Sequence, residues 1–131
     1  ISGRALELMG KWFPESEKKV TLVHDMFQRY LPQIPERHFD VVFTHGGTIE
    51  TVHPSFNMVK EIARVTNRHA ILYIREHEFR TRFWEYEFPR QGFVASYMVK
   101  PLETIEAARD QSVAVTHTTL FVFTRSEVGI N

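Results

Sequence analysis

The run Phe39-Asp-Val-Val-Phe-Thr44 constrains the fold of this chain more than any other stretch. It is nearly continuous in apolar residues, which predicts a strand buried on both faces in a sheet covered by helices on each side. Gly46-Gly47 then breaks the run. The segments around it alternate between helical and extended periods. Residues 3–13 place Ala5, Leu6, Leu8, Met9, Trp12 and Phe13 at helical spacing, with Ser2 as a candidate N-cap and Pro14 as the stop. Residues 20–24 predict a short strand ending at Asp25. Residues 26–38, interrupted by Pro32 and Pro35, hold at most a short helix. Residues 55–66 predict a helix capped by Ser55, with Phe56, Val59, Ile62, Ala63 and Val65 on its buried side. Residues 69–75 predict a further strand. Helix, strand, short helix, strand, helix, strand is the order of a parallel α/β sheet.

The last third departs from that order. Residues 78–90 combine Phe79, Phe83, Trp84, Tyr86 and Phe88 with charge and predict a helix ended by Pro89. Residues 92–100 predict a strand, 103–110 a short helical or loop excursion, and 112–125 a long final strand. Two strands joined without a full crossover helix predict an antiparallel pair closing one edge.

Composition narrows the function classes. With 131 residues the chain has enough length for one core. Its 16 basic and 16 acidic residues balance, and no block of Lys or Arg stands alone, so a nucleic-acid or anionic-membrane partner is not expected. Cysteine is absent, which excludes a disulfide framework and a cysteine zinc site. No apolar run is long enough to span a bilayer, and residues 1–11 lack a signal peptide's apolar segment, so a cytoplasmic protein is the expectation. The 7 histidines are scattered without metal-ligand spacing, so no metal is expected, and Gly-x-Ser-x-Gly is missing. The 11 phenylalanines suit sheet-face packing first and an aromatic acceptor pocket second.

Three local matches give a family resemblance. Ile1-Ser2-Gly3-Arg4-Ala5-Leu6-Glu7-Leu8 resembles the segment following the ribose-binding acid of class I S-adenosylmethionine (SAM)-dependent methyltransferases. Val23-His24-Asp25-Met26 is similar to the end of that family's third strand, and residues 39–47 to its fourth strand and small-residue turn. Glu50-Thr51-Val52-His53-Pro54 occupies the loop that commonly carries a Glu-His pair, with Thr51 where His is common. The turn and Pro54 also resemble methylases associated with bacterial surface sugars. The resemblance implies a three-layer Rossmann-like α/β sheet, mostly parallel with an antiparallel C-terminal pair. It also implies that residues 1–131 are the C-terminal portion of a single domain whose first strands and glycine-rich turn lie upstream of Ile1.

SAM is the implied cofactor, and a small-molecule hydroxyl or amine, a sugar among them, the implied acceptor. Ser2, Asp25, Met26, Thr44, His45 and Gly46 are the candidate cofactor-binding residues. Asp25 stands where a carboxylate accepts from the adenine amino group; its competing role is a turn or helix cap. Met26 packs on adenine or fills the core. His45 is the candidate general base, since an imidazole titrates near neutrality, with a structural histidine as the competing role. Glu50, His53 and His77 are candidate acceptor-site residues or solvated loop positions. Two rival functions remain: a catalytically silent methyltransferase-like assembly module, and a nicotinamide-dependent Rossmann enzyme. The latter fits the antiparallel closing pair and the position of Asp25 less well. The oligomeric state is not readable from the sequence.

Overall fold

The computed structural model describes residues 3–15, 19–45, 49, 52–77, 83–99, 104–107 and 113–128. The chain divides into two compact units, Ile1–Gln33 and Ile34–Asn131, each treated in turn. Among the described residues no helix is long and apolar enough to cross a membrane.

The first unit contains α1 (Gly3–Trp12), α2 (Phe27–Tyr30) and a 3₁₀ turn (Leu31–Gln33). The helical period of residues 3–13 is realised, yet no residue of α1 is buried, and Trp12 and Phe13 are exposed. Residues 20–24, expected as a strand, take no regular structure, and Val20, Leu22 and Val23 are exposed. A β-branched run becomes a strand only when a neighbour accepts its ladder hydrogen bonds, and among the described residues no strand pairs with it.

The second unit is an α/β layer pair built on a mixed sheet. Its strands are β1 (Phe39–His45), β2 (Thr66–His77), β3 (Phe93–Val99), β4 (Thr104–Ala107) and β5 (Val113–Arg125). Their order is β1-β2-β5-β3, with β4 also on β5. Among the described residues only β1 and β2 pair in parallel. β5 runs antiparallel to β2, β3 and β4, so the expected mostly parallel sheet is corrected to a mixed one. The connections from β3 through β4 to β5 are short, and a short connection reverses the strand. The expected antiparallel pair is therefore present at one edge, but β5 lies inside, between β2 and β3. Residues 103–110, expected as a helical or loop excursion, contain β4 instead. The 13-residue β5 outruns the 7-residue β3 and offers Thr104–Ala107 a free stretch of edge.

One face of the sheet is the core. Ala70, Leu72 and Ile74 of β2 alternate with outward residues and pair with Phe123, Phe121 and Thr119 of β5. Over this face lie α3 (Met58–Val65), which buries Met58, Val59, Ile62, Ala63 and Val65, and α4 (Trp84–Glu87) with its following Phe88. Phe88 stacks on Phe123 at 4.5 Å between centroids, and Phe121 stacks on Phe123 at 5.5 Å. The opposite face is open. Val41 (48 %), Phe43 (59 %) and Tyr97 (55 %) are exposed there, which corrects the expectation that residues 39–44 are buried on both faces. Among the described strands β1 lies at the edge of the sheet.

The helix expected over residues 55–66 begins later. Asn57, not Ser55, is the N-cap: its Oδ1 accepts the Lys60 N–H at 3.0 Å. At its other end α3 passes into β2 with no loop, so its last carbonyls need partners that a glycine turn would normally supply. Each finds one. The Thr66 hydroxyl donates to the Ile62 carbonyl at 2.6 Å, and the Arg37 N–H donates to that of Arg64 at 2.8 Å. The Arg125 guanidinium donates to Ala63 O, Thr66 O and Asn67 O at 2.7, 2.5 and 3.2 Å. Arg37 holds a left-handed φ of 55°, a conformation unfavourable for a branched-off Cβ. Its bond to Arg64 and a two-pronged ion pair with Glu127, at 3.0 and 2.8 Å, keep it there.

Of residues 78–90, predicted as one helix, 83–91 form α4 and a 3₁₀ turn (Pro89–Gln91), and 78–82 lie outside the described residues. Pro89 opens that turn rather than ending a helix, as suits a first helical position. Gly92, at φ 82°, closes it, and no side-chain-bearing residue adopts that angle without strain.

Candidate functional site

The carboxyl ends of β1 and β2 are the strand ends where open α/β sheets collect ligands. There Thr44 pairs with Leu72 and His45 with Tyr73. Strand alternation sends these two neighbours to opposite faces: Thr44 is buried on the helix-covered side and His45 is exposed on the open one. His45 lies over Tyr73 with ring centroids 5.0 Å apart and planes 29° from parallel, and Phe43 stands 6.4 Å away. The stack limits the imidazole's rotation, and the residue as a whole is exposed.

The other candidates separate clearly. Ser2, Gly46 and Glu50 lie outside the described residues. His77 is the last residue of β2, beyond Tyr73 along the strand. His53 is held locally. Its Nδ1 accepts the Ser55 N–H at 3.2 Å and lies 2.8 Å from the Ser55 hydroxyl, so Ser55 shapes a turn instead of capping α3. Because Nδ1 accepts from the backbone, the neutral His53 ring carries its proton on Nε2.

Asp25 and Met26 belong to the first unit, immediately before α2. Asp25 Oδ1 accepts the Met26 N–H at 2.7 Å and the Arg29 Nε–H at 2.5 Å. The backbone bond from Met26, supported by Arg29 and opposed by partial burial, holds the carboxyl below its ordinary pKa. Asp25 is therefore ionised throughout the neutral range. Asp25 does not cap α2, whose N-cap is Met26 with no side-chain cap bond; its local bonds occupy Oδ1 alone, and Oδ2 has no hydrogen-bond donor among the described residues. Met26 is half exposed, at 49 %, and is not core.

Two arrangements escaped the sequence reading. The first is a polar row across three strands. Ser96 Oγ donates to the Val122 carbonyl at 3.1 Å, so the contact with Thr124 at 2.8 Å takes the Thr124 proton. Thr124 Oγ1 must then accept from His69 Nδ1 at 3.0 Å, which leaves the neutral His69 lone pair on Nε2. The second is Arg125. An arginine ending the strand Leu120-Phe-Val-Phe-Thr-Arg125 is a readable anomaly, but its acceptors lie 58 to 62 residues earlier and no local pattern gives that pairing.

No protein-family model matches the chain, and no curated protein matches it at a significant level.

Proposed function

We propose that the chain forms the C-terminal portion of a cytoplasmic SAM-dependent methyltransferase with a three-layer Rossmann-like sheet. Its acceptor is the hydroxyl or amine of a small molecule, sugars among them. The observation that carries this reading is the reversed β5 inserted between β2 and β3 beside a parallel β1–β2 pair. The local resemblances of residues 1–8, 23–26 and 39–47 imply an antiparallel closing pair of this kind, and a nicotinamide-binding sheet suits it less well.

SAM, when bound, supplies a methyl group on a sulfonium. The residues of this chain then have limited tasks, because much of the acceleration comes from proximity and orientation. Asp25 Oδ2 would accept a hydrogen bond from the cofactor's adenine amino group, and Met26 would pack against its ring. His45 would take up the proton that the acceptor's oxygen or nitrogen loses on methylation. Tyr73 orients His45. Taken unit by unit, a charged Asp25 with no described donor on Oδ2 suits the first task within the first unit, and an exposed His45 suits the second within the second unit.

His45→Gln tests the reading through methyl-transfer turnover on a panel of small hydroxyl and amine acceptors. Turnover is expected to fall about 100-fold, the lower range for a general base, and the remaining rate to lose its pH dependence near neutrality. An unchanged rate and pH profile in His45→Gln would remove His45 from the chemistry.

A further inference from the structure

We draw no further inference here: the strongest candidate, the open face of the sheet with Val41, Phe43 and Tyr97 exposed on it, is an unpartnered apolar face, and nothing in the structure shows what covers it.

Discussion

Replacing Phe123 with alanine is expected to lower the stability of the second unit by about 3–5 kcal/mol, the range for a fully buried phenylalanine whose cavity cannot collapse. Phe123 is completely buried and sits between two aromatic partners, Phe88 at 4.5 Å and Phe121 at 5.5 Å. Phe88 in turn meets Phe93 edge-on at 6.0 Å. These rings join the 3₁₀ turn after α4 to the centre of the sheet. Removing the middle one forfeits both stacking contacts as well as the apolar area. Phe43 provides the contrast, since it lies 59 % exposed on the open face. Phe43→Ala should cost less than about 1 kcal/mol. Urea denaturation measures both. A Phe123→Ala midpoint equal to that of Phe43→Ala would mean that the aromatic row is not the core.

Arg125→Ala is expected to be about as damaging, on the order of 3 kcal/mol, with hydrogen bonds to a charged donor each taken at roughly 1.5–3 kcal/mol and water returning to part of the gap. The substitution strands the Ala63, Thr66 and Asn67 carbonyls at the point where α3 becomes β2 without a loop. It also removes the guanidinium from the face of Phe93, where it lies 4.7 Å from the ring centroid. Arg125→Lys separates charge from shape. An ammonium keeps the charge but cannot address three diverging carbonyls, so most of the loss should persist. The exposed Arg37–Glu127 pair, though better formed geometrically, is expected to matter far less, because solvent screens it. Full recovery in Arg125→Lys would show that charge alone holds the junction.

Periodic segments were legible in the sequence, and their partners were not. The helix of residues 3–13 and the strands of 69–75, 92–100 and 112–125 follow from local spacing and appear within a few residues of the expected bounds. Residues 20–24 and 39–44 look alike locally, as short β-branched runs. One has a neighbour at bonding distance and becomes β1; the other has none among the described residues and stays irregular. β4 was missed because Thr104–Ala107 is extended only through the free edge of β5. Ser55 lost the α3 cap to Asn57 because His53 offers Ser55 a competing turn bond.

The candidate site divides the same way. A histidine at a strand end marks His45, but alternation decides that Thr44 turns inward and His45 outward, and that depends on which face the helices cover. The bond from Arg29 to Asp25 is a helical i,i+4 contact and was readable. The Ser96–Thr124–His69 row and the carbonyls of Arg125 arise from the antiparallel register of β5, which no local pattern encodes.

The most direct test is calorimetric titration of SAM and S-adenosylhomocysteine into the protein purified at its natural length, beside Asp25→Ala. The bonds of Asp25 to Met26 and Arg29 are local enough for the variant to fold. Saturable binding of both ligands, weakened about tenfold or more in Asp25→Ala by loss of a charged acceptor, is the expected result. A folded protein that takes up neither ligand would contradict the methyltransferase reading and favour a silent module of similar fold.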